Sequence, residues 1–170
     1  MRKTIVLAVG GLALLAGCKN QQDATIHLKP KWQGAPYHLS FDTKAAKPST
    51  AGIGIPAVQW TANPDALEGR VCLVVQFNAA EGAKNAPAID QLVMGPVSIS
   101  GAQGTLPADY MDAANKSLTK LLDAYHFKGK LNVRVLLARS SINSNPGDSE
   151  IAETRLSDWL PIELDFHGTR

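Results

Sequence analysis

The chain has 170 residues, of which 45% are hydrophobic and 19% are charged. This balance is typical of a folded protein and excludes a disordered one. The formal net charge of +2 comes from Arg2 and Lys3, because the residues after position 17 carry equal numbers of basic and acidic side chains. Since the body has no basic surplus, we expect no nucleic-acid partner.

Residues 1–17 have the three-part pattern of a secretion signal. Two basic residues are followed by an apolar run at residues 5–14 and then by small residues. The run is too short to cross a bilayer, which takes about 20 apolar residues, and the pattern predicts a signal peptide that is removed. We expect residues 18–23 to form a short tether and residues 24–170 a single β-rich domain, a length that can enclose one core.

The sequence Leu15-Ala16-Gly17-Cys18 resembles the lipobox of bacterial lipoprotein precursors, which are cut between Gly17 and Cys18. The resemblance implies that Cys18 carries a thioether-linked diacylglycerol and an amide-linked acyl chain such as palmitate, which together give stable membrane anchoring. Asp after the cysteine commonly retains such proteins in the inner membrane. Lys19 therefore implies the outer membrane, with the body facing the periplasm. An ordinary secretion signal with an incidental Cys18 is the alternative.

A β-hairpin is predicted at the start of the body. Residues 25–32 and 37–43 alternate apolar and polar side chains, and the turn-rich residues 33–36 separate them. In the register that fits both patterns, Trp32 lies opposite Tyr37.

Five further strands are predicted along the rest of the body. The most apolar of them is expected at the centre of a sheet. Gly95-Pro96 interrupts another, and Pro56 must lie at the start of its strand or at a sheet edge. These strands cover residues 55–60, 70–79, 89–100, 130–138 and 160–167, and loops are predicted at residues 44–54 and 140–148.

Cys72 is the only cysteine besides Cys18. It lies within the most apolar strand, which predicts burial on both faces of a sheet. Because burial disfavours the thiolate, we expect an inert core residue rather than a reactive thiol.

One amphipathic helix is predicted between the strands at residues 89–100 and 130–138. Apolar residues recur at spacings of three and four from Met111 to Tyr125, which places them on one helix face. Thr105 is the expected N-cap, with Pro107 in the first turn, and Gly129 is expected to follow the last turn. The fold class predicted is therefore α+β, mainly an antiparallel β-sheet or small β-sandwich with one packed amphipathic helix.

No sequence motif predicts a catalytic, metal or cofactor site. Ser117 and Lys120 fit a Ser-x-x-Lys pattern, but they fall within the predicted helix and lack the companion motifs of penicillin-interacting enzymes. Residues 143–150 offer oxygen ligands without the spacing of an EF-hand. The histidines are scattered without metal-ligand spacing, at His27, His38, His126 and His167.

The sequence favours a non-enzymatic protein-binding module, either an inhibitor or immunity factor or a small subunit of an envelope machine. Its partners would be the membrane, through the acyl chains on Cys18, and a protein in the periplasm. Loops and exposed strand faces commonly carry binding residues, and the predicted contacts are Trp32, His38, Asp148 and Glu150. Two alternatives remain: a small envelope hydrolase acting on peptidoglycan or glycan, and a secretion or envelope-assembly accessory lipoprotein.

Overall fold

The computed structural model describes residues 35–42, 54–63 and 69–168. Gly17 and Cys18, the predicted strand at residues 25–32 with Trp32, and most of the predicted loop at residues 44–54 lie outside these ranges. The elements in chain order are β1 (Tyr37–Asp42), β2 (Ala57–Ala62), β3 (Gly69–Ala79), β4 (Gln91–Val93), β5 (Val97–Ile99), β6 (Gln103–Thr105), α1 (Ala108–Ala124), β7 (Gly129–Arg139), α2 (Asp148–Thr154) and β8 (Leu160–Phe166).

The strands form two antiparallel sheets. The smaller sheet has the order β1-β2-β6, and the larger has the order β4-β3-β7-β8, with β5 paired to the other end of β3. The α+β class with mainly antiparallel sheets and a packed helix is therefore confirmed. Neither helix in the described part of the chain is long and apolar enough to span a membrane.

The main hydrophobic core lies between the two sheets and helix α1. Alternate residues of β3 and β7 point into it, and they meet the inward residues of β1 and β2 and the buried face of α1. This pattern follows from the strand period of two, because every second side chain lies on the same face. The central members are Val71, Leu73, Val75, Phe77, Leu131, Val133, Val135, Leu137, Val58, Trp60, Met111, Ala114, Leu118 and Leu122.

Strand β3 is buried on both faces, as its apolar sequence predicts. Cys72 and Val74 point away from the main core into a second cluster, which helix α2 and the chain before it cover with Ile142 and Ile151. Cys72 is only 3% exposed. Burial raises the pKa of the Cys72 thiol, and the nearby Arg70 charge opposes this only in part.

The break predicted at Gly95-Pro96 separates β4 from β5. It falls opposite Leu73, whose backbone N–H would otherwise face a gap in the sheet. The hydroxyl of Tyr110, on helix α1, accepts a hydrogen bond from Leu73 N at 3.0 Å and donates one to Gly95 O at 2.8 Å. The helix therefore completes the hydrogen bonding of the sheet at its interruption.

Helix α1 buries the predicted face, but both predicted ends were wrong. Thr105 belongs to β6 and pairs with Gln59 of β2, so its backbone is already extended. Pro107 occupies the N-cap position instead. At the other end, His126 rather than Gly129 takes the left-handed conformation just after the helix, with φ of 52°.

A side chain of α1 also anchors the segment before β2. Asn115 Oδ1 accepts a hydrogen bond from Ile55 N at 2.7 Å, and Asn115 Nδ2 donates one to Ile55 O at 3.1 Å. The amide thus pairs with both backbone groups of Ile55, as a neighbouring strand would. Pro56 follows, and β2 begins immediately after it, consistent with the predicted position of the proline at the start of a strand.

The predicted loop at residues 140–148 ends one residue early, because Asp148 begins a short helix that the sequence pattern did not predict. Helix α2 has seven residues, and only Ile151 among them is buried. A single buried side chain gives no helical periodicity, so the pattern carried no signal. Strand β8 alternates inward and outward residues as predicted.

Gly104 allows the indole of Trp60 to lie against the backbone of β6. The two residues are paired across β2 and β6, and a Cβ on Gly104 would stand 2.7 Å from Cζ2 of Trp60. The same indole packs edge-to-face against the Tyr37 ring, with centroids 5.7 Å apart. Trp60 therefore fills the core of the small sheet only because residue 104 has no side chain.

We expect Gly104→Ala to destabilise the full-length chain by about 1–3 kcal/mol, because the added methyl group displaces the Trp60 ring. The matched control is Gly95→Ala, where a Cβ would meet nothing within 4 Å. Urea denaturation followed by tryptophan fluorescence measures both free energies of unfolding. Equal stabilities of the two variants would contradict the close approach of Trp60 to Gly104.

We expect Tyr110→Phe to lower the free energy of unfolding by about 1–3 kcal/mol, because Leu73 N–H loses its acceptor. Burial raises the pKa of Tyr110 to about 12, above the value of about 10 expected in the unfolded chain. The protonated phenol therefore favours the fold below pH 10, and this contribution is lost as the pH rises toward 12.

The Tyr110→Phe variant should accordingly lose less stability over that alkaline range than the wild-type chain does. Part of the pH dependence should remain, because burial also raises the pKa of Tyr37. Tyr125→Phe, at the C-cap of the same helix, is the control and should keep the wild-type profile. An unchanged alkaline profile in Tyr110→Phe would show that its hydroxyl is not buried in this way.

Candidate functional site

The outer face of the large sheet, which points away from the main core, has two unlike halves. One half is apolar and covered: Cys72, Val74, Leu136 and Ala138 lie beneath α2 and the chain before it. The other half is polar and open. We define the amide face as Gln76 and Asn78 on β3, Gln91 on β4, and Asn132 and Arg134 on β7.

The register of the strands brings these polar residues together. Gln76 lies opposite both Gln91 on β4 and Arg134 on β7, and Asn78 lies opposite Asn132. Directly opposite side chains on one sheet face are close enough to interact. The amide face is therefore a continuous polar surface carried on paired strands.

A row of hydrogen bonds fixes the guanidinium of Arg134. Its Nε and Nη2 donate to Gln76 Oε1 at 2.9 and 2.6 Å. Gln76 Nε2 donates to Gln91 Oε1 at 3.4 Å, and Gln91 Nε2 donates to Asn145 Oδ1 at 3.0 Å and to Pro146 O at 2.8 Å. The row crosses β7, β3 and β4 and ends on the loop before α2.

Trp159 supports the same arginine from a second direction. The guanidinium carbon of Arg134 lies 4.4 Å from the centroid of the Trp159 ring, a cation–π contact. Trp159 also packs against the apolar cluster around Cys72. The orientation of the arginine is thus fixed by a neutral amide oxygen and an aromatic ring.

The charge of Arg134 is not neutralised by any carboxylate of the described residues. Ion pairs among the described residues include Lys130 with Glu163 at 2.7 Å and His167 with Asp165 at 3.6 Å, and neither involves Arg134. Lys130 lies on the same strand, and its bond to Glu163 raises the pKa of its ammonium group. Arg134 therefore differs from its neighbouring cation, because it is held in place while its charge stays available.

A groove of about 430 Å³ runs beside Arg134. This volume lies within the range of small-molecule sites, which is roughly 300–1,000 Å³. Its lining combines one cation, one carboxylate and several amides, and is formed by Gln76, Phe77, Asn78, Asp90, Asn132, Val133, Arg134 and Pro161.

A smaller concavity of about 230 Å³ lies on the small sheet. Its lining has hydroxyl and amide groups but no charged side chain, and consists of Ser40, Gln59, Trp60, Thr61, Gln103, Gly104 and Thr105. Trp60 Nε1 is buried without a hydrogen-bond partner. The lack of a charged or titratable lining group makes this concavity the weaker candidate.

The predicted partner contacts are on separate elements. His38 is exposed on β1, in the small sheet, whereas Asp148 and Glu150 belong to α2. Glu150 Oε1 accepts a hydrogen bond from Asn143 N at 2.8 Å, so it fixes the preceding loop. Trp32 lies outside the described residues. Contact with a partner stays a prediction for these residues.

The nucleophile and metal motifs considered in the sequence do not converge in the described ranges. Ser117 and Lys120 are exposed on α1. Ser157, a serine outside these motifs, is fully buried; it accepts a hydrogen bond from Leu137 N at 2.9 Å and donates one to Asp158 O at 3.1 Å. Within these ranges, no group of three or more His, Cys, Asp or Glu side chains could hold a metal ion.

Sequence reasoning missed the amide face, although a signal for it exists. On β3, the outward residues change from apolar Cys72 and Val74 to polar Gln76 and Asn78. On β7, Asn132 and Arg134 precede Leu136 and Ala138 in the opposite order. Two antiparallel strands with opposite polarity gradients place their polar ends together. Once the pairing of β3 with β7 is known, the sequence predicts that one half of the outer sheet face is polar.

Comparison with known protein families, with curated proteins and with solved structures finds no match for the chain. The amide face and its groove are therefore a candidate site on the strength of their geometry alone.

Proposed function

We propose that the chain is an outer-membrane lipoprotein whose periplasmic body binds a partner protein through the amide face and does not catalyse a reaction. The observation that carries this proposal is the state of Arg134, which is oriented by Gln76 and Trp159 beside an open groove and has no carboxylate partner among the described residues.

The construction of the face supports binding. Arginine and tryptophan are enriched at the energetic centres of protein interfaces, and ordering a long side chain costs free energy when a complex forms. In Arg134 that ordering is largely achieved before a partner arrives. The residues of the amide face lie on paired strands, which hold a binding constellation more rigidly than loops do.

The N-terminal sequence supports the membrane address. The lipobox Leu15-Ala16-Gly17-Cys18 implies acylation of Cys18, and Lys19 implies sorting to the outer membrane. A body attached there through the short tether at residues 18–23 is suited to an inhibitor, an immunity factor or a small subunit of an envelope machine, because each of these meets its partner in the periplasm.

We expect a photo-crosslinking amino acid placed at Asn132 or Asn78 of the full chain, in the cells that make it, to give a discrete protein adduct. Both positions are exposed and line the groove. Lys116 and Lys120, exposed on helix α1, are the control positions and should give none. The absence of an adduct at both groove positions, or equal adducts at all four, would contradict the proposal.

We expect Cys18→Ser to move the chain from the membrane fraction to the soluble fraction and to abolish labelling with an alkyne fatty acid. Each lost acyl chain removes burial worth about 0.8 kcal/mol per CH₂ group. Cys72→Ala is the control and should keep both the label and the membrane fraction. A Cys18→Ser variant that keeps the label and the membrane fraction would contradict acylation at Cys18, and a wild-type chain that is soluble and unlabelled would indicate an ordinary secretion signal.

A further inference from the structure

We propose that the groove beside Arg134 recognises an Asp or Glu side chain on an extended segment of the partner protein, with Arg134 as the residue that determines specificity. This inference rests on the protein-binding function proposed above and names the chemistry that the binding surface selects.

The free edge of the guanidinium fits a carboxylate. Arginine has five N–H donors in a planar fork, and Arg134 directs only its Nε and one Nη2 donor to Gln76 Oε1. The Nη1 group and the second Nη2 hydrogen remain. Together they form the edge that binds a carboxylate through two parallel hydrogen bonds.

The surrounding charges favour a single carboxylate over a polyanion. Asp90 lines the same groove, and Asp165 lies on the adjacent strand β8 opposite Lys130, whose charge is already paired with Glu163. These acids would repel a phosphate-rich lipid surface or a nucleic acid. One acidic side chain can reach Arg134 without bringing further negative charge toward them.

The amides of the groove favour a peptide as the carrier of that carboxylate. Asn78 and Asn132 each offer a carbonyl acceptor and an NH₂ donor, which complement the N–H and C=O groups of an extended chain.

The test measures the adduct formed from Asn132 of the full chain. Arg134→Gln should reduce its yield roughly ten- to a hundredfold, because a charge-assisted, two-point hydrogen bond is lost. Arg139→Gln is the matched control: it removes the same charge from the same strand and should leave the yield unchanged. Arg134→Lys keeps the charge without the planar fork and should give an intermediate yield.

The partner side of the contact is tested by a double-mutant cycle. Mass spectrometry of the adduct identifies the crosslinked peptide, and the acidic residue nearest the crosslink is changed to its amide, Glu to Gln or Asp to Asn. That change should lower the yield with wild-type Arg134 but have little further effect in Arg134→Gln. Additive losses would overturn the proposed pairing.

The outcomes separate the two proposals. A wild-type yield in Arg134→Gln, or a crosslinked peptide without Asp or Glu, overturns carboxylate recognition and leaves the protein-binding function standing. Absence of any adduct in the wild-type chain overturns both. Thermal unfolding shows that a reduced yield does not come from a loss of folding: Arg134→Gln should unfold cooperatively and only slightly below Arg139→Gln, because it loses the exposed contacts to Gln76 and Trp159.

Discussion

The antiparallel ladder between β3 and β7 is the contact around which both hydrophobic clusters are built. It pairs residues 71–79 with residues 131–139. One side of the ladder faces the small sheet and helix α1, and the other faces the cluster around Cys72. Because both strands contribute side chains to both clusters, a shift of register by one residue would exchange the two faces. The packing on each face therefore fixes the ladder, and the ladder positions Gln76 opposite Arg134.

The open half of the outer face is a consequence of where this second cluster ends. The covered half reaches Val74 and Leu136, and the next outward pair is Gln76 and Arg134. Trp159 stands at this boundary, with apolar packing on the covered side and the guanidinium on its ring. The arginine is thus supported by the same packing that buries Cys72. Its orientation therefore depends on the packing of the covered half as well as on the hydrogen bonds of Gln76.

Local sequence patterns were sufficient for the features that depend on one segment. The burial of β3, the interruption at Gly95-Pro96, the buried face of α1 and the alternation in β8 all follow from periodicity or from backbone chemistry within a few residues. The features that were missed or wrong depend on distant segments. Thr105 is not the N-cap, because its backbone pairs with Gln59. The hydroxyl of Tyr110, on helix α1, accepts a hydrogen bond from Leu73 N on β3.

The candidate site belongs to this second group. No motif marks Arg134, because its importance arises from the pairing of two strands that are far apart in sequence. The α2 helix was missed for a related reason: its single buried residue, Ile151, packs against a cluster formed by distant segments of the chain. Polarity gradients along β3 and β7 contain the information, but only the antiparallel pairing converts them into one polar surface.

Because Gln76 is neutral, it orients the guanidinium of Arg134 without cancelling its charge. A glutamate there could accept the same two hydrogen bonds from Arg134, and the added charge would bind the guanidinium more strongly. It would also cancel the charge, as Glu163 does for Lys130 on the same strand. With Gln76 the arginine is oriented by a neutral oxygen, and Gln91 and the loop before α2 hold that glutamine in turn. The surface thus keeps an ordered cation whose electrostatic attraction is still available to an incoming carboxylate.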